Sequence, residues 1–358
     1  MLLSMKKGII GLVVLFTFSF IPAYSATPPS AGSFCSKQGV TKKYLGKKFT
    51  CIKFGRKLVW NKGIAIQSSE PVATMPRTPK QLFVPWMTDI NQEILVSQAN
   101  SEFKKWVKQN DANEFIPTYY VDPNLGEVDL AWLKNSTDLA VKSFGRDSPT
   151  SYSVFVGKDC EWIRVVGNAS CTESMNNQYF SNSISSSYFV LNSVSDRNWL
   201  RPSDLQTAAH EYFHSVQAKL SNGANWSERT TSWFIEGGAY FIGISFSDLA
   251  GVSPYIQGRD EELLQRGYQT KRYLPLEKYT YQNVNPPLNY ENPYGIGCVA
   301  TEYIVASVGM QKYLDIYRNL GLGKDFNSAF ETAAGLSLSD FYARFEIIRD
   351  RVGMPRGQ

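Results

Sequence analysis

Residues 210 to 214 read His-Glu-Tyr-Phe-His, and they hold the only two histidines of the 358-residue chain. Two imidazoles four positions apart lie one turn apart on the same side of a helix, close enough to share an ion, whereas a strand would hold them about 13 Å apart. The H-E-x-x-H pattern thus predicts a helix that presents two nitrogen ligands to one metal ion. The intervening carboxylate stands beside them. The flanks agree with a helix over 203–220. Pro202 precedes Ser203, and Ser203 to Gln206 matches the S-x-x-Q capping box. Leu205, Ala208, Ala209, Val216 and Leu220 recur at roughly helical spacing, and Ser221-Asn222-Gly223 supplies a stop.

A catalytic zinc takes three protein ligands and keeps one position open. Glu236 is the candidate third ligand. It lies 22 positions after His214, inside Trp233-Phe234-Ile235-Glu236-Gly237-Gly238-Ala239-Tyr240. That interval holds a loop over 221–230 and the start of a second helix. A carboxylate in an apolar stretch is costly to bury unless it is paired or bound to metal. The two glycines beside it allow close helix–helix approach. The other reading of Glu236 is an exposed carboxylate on an amphipathic helix.

His210-Glu211-x-x-His214 followed by Trp233-x-x-Glu236-Gly237-x-Ala239 resembles the gluzincin metallopeptidases, the group that includes thermolysin and the zinc aminopeptidases. Glu-Gly-x-Ala is closer to the aminopeptidase branch. Thermolysin carries an aspartate four residues after its ligand glutamate, where this chain has Tyr240. The resemblance covers roughly residues 185–350. It implies one zinc ion held by His210, His214 and Glu236, with Glu211 as general base toward the water the zinc carries. The implied fold class is α+β, a zincin-like two-lobed domain with a mixed-sheet N-terminal lobe and a helical C-terminal lobe. The Gly-x-Met-Glu-Asn clamp of the aminopeptidases is missing, so exopeptidase action is not carried over. Thermolysin-like enzymes stabilise the oxyanion with a histidine and a tyrosine, and this chain has no third histidine. Tyr294, in Asn292-Pro293-Tyr294-Gly295 and 58 residues after Glu236, is the remaining candidate, with Tyr290 as its rival.

The front of the chain points to export. Lys6-Lys7, a mostly apolar run from Gly8 to Ile21, and Pro22-Ala23-Tyr24-Ser25-Ala26 form the three regions of a secretory signal peptide, with cleavage expected after Ser25. The apolar run is short for a membrane span, and a retained anchor is the alternative. Cys35 and Cys51, and Cys160 and Cys171, are local pairs that read as two disulfides in an oxidising compartment. Cys298 is left over in an apolar helical stretch and reads as a buried small hydrophobe. The expected location is extracellular or wall-associated.

Charge divides the chain. Residues 30–63 hold nine basic residues (Lys37, Lys42, Lys43, Lys47, Lys48, Lys53, Arg56, Lys57, Lys62), and the first acidic residue is Glu70. With these and Lys6 and Lys7 set aside, 26 of the 37 basic residues remain over 64–358, against all 32 acidic ones. The front piece also carries Tyr44, Phe49, Phe54 and Trp60 and Gly-Lys or Gly-Arg turns. It reads as a small disulfide-stapled β module and faintly resembles Cys…Cys…Trp modules of secreted actinobacterial proteins. Its partner is expected to be an anionic cell-wall or surface polymer, with a soluble basic spacer as the alternative. Export argues against nucleic acid.

Residues 64–80 are rich in Pro, Ser and Thr and read as a linker. Residues 81–358 suit one catalytic domain. Within it, 89–109 and 127–144 are predicted helices, the first burying Ile90, Ile94, Leu95, Phe103 and Trp106. Ile116–Val121, Tyr152–Val156 and Tyr188–Leu191 are predicted strands, and the resemblance to gluzincins implies that the last is the sheet edge that lines a peptide. Residues 295–351 read as helices punctuated by Gly309, Gly321-Leu322-Gly323 and Gly335. The leading expectation is a secreted zinc peptidase acting on peptide or protein substrates. The alternative is a non-catalytic surface- or wall-binding protein built on a peptidase fold.

Overall fold

A computed structural model describes residues 31–44, 47–65, 86, 89–110, 115–126, 129–171, 179–183, 185–191, 205–223, 230–265, 274–280 and 293–353. The expected signal peptide, most of the expected linker, Ser203 of the capping box and Tyr290 lie outside the described residues. Contacts divide the chain into two units, Met1–Lys80 and Gln81–Gln358.

The first unit contains an antiparallel four-stranded sheet. Its strands are β1 (Thr41–Tyr44), β2 (Lys47–Phe54), β3 (Lys57–Trp60) and β4 (Ile64–Ala65). β2 is central and pairs with all three others, with Cys51 opposite Trp60 and Lys48 opposite both Lys43 and Ile64. Gly55 adopts φ +60° in the tight turn between β2 and β3, where a side chain would be strained. One face buries Phe49, Cys51 and Trp60, with Cys35 and Leu58 packed against them. A core this small needs reinforcement, and a Cys35–Cys51 disulfide supplies it.

The second unit is α+β. A mixed sheet of order β5-β6-β8-β7 combines β5 (Thr118–Val121), β6 (Ser153–Gly157), β7 (Tyr179–Ser183) and β8 (Ser186–Val190). β5, β6 and β8 run parallel, and β7 is antiparallel to β8. The Tyr188–Leu191 expectation therefore needs correcting. This strand is interior, and the edge is β7, one hairpin earlier. Every residue of β8 is buried, as an interior strand with both neighbours in place requires.

Ten helices are present among the described residues. α1 (Gln92–Asn110), α2 (Ala131–Phe144) and α3 (Cys160–Val166) come first in the chain. α4 (Thr207–Leu220), α5 (Ser232–Leu249) and α6 (Tyr255–Gln265) follow. The tail is α7 (Pro293–Val308), α8 (Met310–Gly321), α9 (Phe326–Ala334) and α10 (Leu338–Val352). The breaks between the tail helices fall at Gly309, Gly323 and Gly335, all at positive φ. Ile94 is exposed, unlike the other four residues expected to face the core from α1. It sits in the first turn of α1, where its amide bonds the Asn91 side chain.

Asp159 caps α3, and a Cys160–Cys171 disulfide closes the loop behind it. Cys298 is free and buried in α7. No helix among the described residues is long and apolar enough to cross a membrane. The two disulfides are compatible with a secreted or extracellular protein.

α5 is the centre of the helical part. It packs most extensively against α7 and α4. Glycines make this possible. A Cβ on Gly237 would sit 2.3 Å from Gly297 Cα, and one on Gly243 would sit 2.7 Å from the Gln206 carbonyl. A buried ion pair ties α6 to α7. The Arg259 guanidinium donates to both Glu302 carboxylate oxygens at 2.7 and 3.0 Å, and the Tyr255 hydroxyl donates to the same carboxylate at 2.6 Å.

Candidate metal centre

α4 is buried along Thr207–Ala218, so both histidines lie inside the protein. It packs against the β7–β8 hairpin on one side and α5 on the other. Tyr212 anchors it: its ring meets Tyr152 edge-on at 4.9 Å, and its hydroxyl bonds Ser148. Glu236, Tyr240 and Gly243 occupy one face of α5 at helical spacing, and this stripe lies along α4. A Cβ on Gly243 would come to 3.2 Å from His210 Cβ, Tyr240 presents its ring to the His210 ring at 6.5 Å, and Glu236 reaches the imidazole tips.

Three donor atoms converge there. His210 Nε2 and His214 Nε2 are 3.1 Å apart, and Glu236 Oε2 lies 3.6 Å from the first and 3.4 Å from the second. An ion bonded at the usual zinc–nitrogen and zinc–oxygen lengths, at tetrahedral angles, needs its donors about 3.3 Å apart. The three residues can therefore hold a metal ion. The Glu236 side chain is only 15 % exposed, which decides against the solvent-facing reading of this carboxylate.

The tautomer of His214 follows from its neighbours. Gln217 Nε2 donates to the Ile235 carbonyl at 3.0 Å and to the Tyr317 hydroxyl at 3.0 Å. Its Oε1 then faces His214 Nδ1 at 2.7 Å and can only accept. In the neutral ring Nδ1 therefore keeps the hydrogen, and Nε2 is the nitrogen whose lone pair is available to a metal ion. Tyr317 is oriented in turn by donating to the Phe234 carbonyl at 3.1 Å. Hydrogen bonding at the far nitrogen is how proteins orient metal-binding imidazoles. The corresponding Nδ1 of His210 is buried and has no hydrogen-bond partner among the described residues.

Sequence reasoning missed this second layer. Gln217 carried a usable signal, since it lies three positions after His214 and so on the same face of α4. Tyr317 carried none, because a contact across 100 residues has no local pattern.

Charge in the cluster is internally balanced. Burial opposes a charged His214, yet Glu236 and Glu211 hold its pKa up at about 9. Burial likewise opposes a charged Glu236, and the two imidazoles overcome it and pull its pKa well below the usual carboxylate range. Glu211 behaves differently. Burial dominates and raises its pKa, the histidines offsetting only part of this and Glu236 adding to it. Two carboxylates on adjoining helices thus have opposite proton affinities, the separation expected of a ligand and a proton acceptor.

Tyr294 stands at the start of α7 with its ring 6.0 Å from the His210 ring and nearly parallel to it. The structure thus brings together His210, Glu211, His214, Glu236 and Tyr294. Tyr290 lies outside the described residues. No protein family, curated protein or solved structure matches the chain. A His–His–Glu cluster by itself assigns no family.

Proposed function

We propose that the Gln81–Gln358 unit is a zinc-dependent metallopeptidase that hydrolyses peptide bonds in extracellular protein. The observation that carries this reading is the triangle of His210 Nε2, His214 Nε2 and Glu236 Oε2, whose sides suit tetrahedral zinc, with Glu211 buried beside it. Zinc held there supplies a Lewis acid and brings the pKa of a coordinated water to about 7. Glu211 is the general base. Its raised pKa suits it to take the proton from the attacking water and return it to the leaving amine. Gln217 keeps His214 in the ligating tautomer. Tyr294, beside His210, supplies the hydrogen bond to the oxyanion that forms on the substrate carbonyl.

The resemblance to gluzincins and the zincin-like two-lobed architecture belong to this proposal. The order of elements supports them: a mixed sheet with an antiparallel edge strand, then the His-Glu-x-x-His helix, then the helix carrying Glu236. In that reading β7, rather than β8, is the edge that pairs with an extended peptide.

The test is metal content together with hydrolysis of unfolded casein. Close to one zinc per chain is expected, lost in His214→Ala. Glu211→Gln is expected to keep the zinc while hydrolysis falls by about two to four orders of magnitude. Full zinc occupancy in a His210→Ala, His214→Ala double variant would place the metal elsewhere. Zinc binding without hydrolysis of any unfolded protein would favour a non-catalytic surface-binding protein.

A further inference from the structure

Among its described residues, the front unit has more large apolar side chains outside than inside. Its core is Phe49, Cys51 and Trp60 on one face of the sheet. Residues opposed in an antiparallel ladder point to the same side, and alternate residues along a strand to opposite sides. Phe34 is bridged to Val59, Val59 pairs with Ile52, Phe54 pairs with Lys57, and Ile64 pairs with Lys48. All of these lie on the face away from the core. Phe34 is 70 % exposed, Phe54 75 %, Ile64 70 % and Ile52 39 %. The Lys57 ammonium sits over the Phe34 ring at 5.4 Å, and Lys48 is exposed beside Ile64. The surrounding module carries nine basic residues and no acidic one between positions 30 and 63.

We propose that this outward face docks on an anionic lipid surface, with Phe34, Ile52, Phe54 and Ile64 entering the headgroup region and Lys48 and Lys57 meeting lipid phosphates. Charge complementarity selects an anionic partner, since none of the basic residues has an acidic neighbour within the module. The apolar residues select lipid over a purely polar polymer. A phosphate-bearing wall polymer would satisfy the lysines but offers nothing to two isoleucines and two exposed phenylalanine rings. A bilayer interface takes apolar tips and attracts nearby lysines at once. The inference stands apart from the peptidase reading, because it uses no residue of the metal centre.

The experiment mixes the chain from Ala26 to Gln358 with sedimentable vesicles, so that the apolar run Gly8–Ile21 contributes nothing. One set is phosphatidylcholine alone, and the other is an equal mixture with phosphatidylglycerol. Binding to the mixed vesicles only is expected, weakening as salt rises. A Phe34→Ser, Phe54→Ser variant should bind about tenfold more weakly or worse, since each phenylalanine gives up apolar burial. Both side chains are exposed, so the module should stay folded, and the Cys35–Cys51 peptide in a non-reduced digest checks this. A Lys48→Glu, Lys57→Glu variant should also lose binding. Equal binding to both vesicle sets, binding to neither, or binding to mixed vesicles that the phenylalanine variant leaves unchanged would overturn the proposal. Binding to an isolated phosphate-bearing wall polymer but not to mixed vesicles would overturn it too.

Discussion

Gln217→Met tests whether the hydrogen-bonded layer behind His214 governs metal affinity. Methionine keeps the length of the side chain and removes both polar atoms. Three hydrogen bonds go: one from His214 Nδ1 at 2.7 Å, and those to Ile235 and Tyr317 at 3.0 Å each. Tyr317 keeps its bond to Phe234 and its contact with the Tyr313 hydroxyl, so the group left most exposed to loss is the buried His214 Nδ1–H. One orphaned buried donor costs about 1–3 kcal/mol of stability. Removing the outer partner of a ligating histidine typically weakens metal binding by about 10- to 100-fold, which is roughly 1.4–2.7 kcal/mol.

The assay is zinc competition against a chromogenic chelator, with thermal unfolding of the metal-free and metal-loaded forms in parallel. Gln217→Glu separates affinity from stability. Its carboxylate accepts from Nδ1–H and makes the imidazole more basic, but it faces the Ile235 carbonyl with no donor. Zinc affinity in Gln217→Glu should return to the parental level or above while the metal-free form stays destabilised. If Gln217→Met bound zinc within about twofold of the parent, the tautomer argument would fail. If both variants lost affinity alike, Gln217 would be a packing residue only.

Three further outcomes follow from the same site. Gly297→Ala would bring a Cβ to 2.3 Å from the Trp233 carbonyl and force α5 from α7, costing about 1–3 kcal/mol as overpacking; an unchanged melting temperature would contradict the close approach. Tyr294→Phe should lower kcat on casein by about 10²- to 10³-fold with KM and zinc content near parental; full activity would remove Tyr294 from the mechanism. In the metal-free protein His214 has its pKa raised from 6.5 to about 9 by Glu236 and Glu211 against burial. Its ion pair therefore adds stability that is complete below pH 6.5 and is lost as pH rises to about 9. Zinc must displace that proton, so apparent zinc affinity should keep rising with pH beyond 6.5 and level off near 9. Affinity already flat from pH 7 upward would refute the pairing.

What was legible in the sequence was what one helix or one short loop decides alone. The spacing of His210 and His214 points to a helix because a helix sets them one turn apart, whereas a strand would hold them about 13 Å apart. The tail breaks where Gly309, Gly323 and Gly335 take positive φ, and such backbone leaves a mark in a single residue type. The cysteine pairs, 16 and 11 positions apart, are local by the same logic. Glu236 sat one step beyond this. Its burial depends on α5 lying against α4, and the hint was energetic: a lone carboxylate in an apolar run needs a partner.

The rest depended on packing between distant segments. β8 was recognisable as a strand, but edge or interior is a property of its neighbours. β7 reads Tyr-Phe-Ser-Asn-Ser, with no β-branched residue, and is a strand because β8 pairs with it. Ile94 fits a loose helical repeat, but the stripe that α1 buries runs through Leu95, Ala99, Phe103 and Trp106. Ile94 stands one residue, about 100°, to the side of it, so the repeat alone leaves the phase of the buried face open. Gln217 joins the two kinds of information. Its position on the histidine face is sequence-local, whereas its orientation is set by Ile235 and Tyr317 on two other helices. A ligand set can therefore be read from spacing, but the protonation state that lets it bind metal is decided by residues the spacing never reaches.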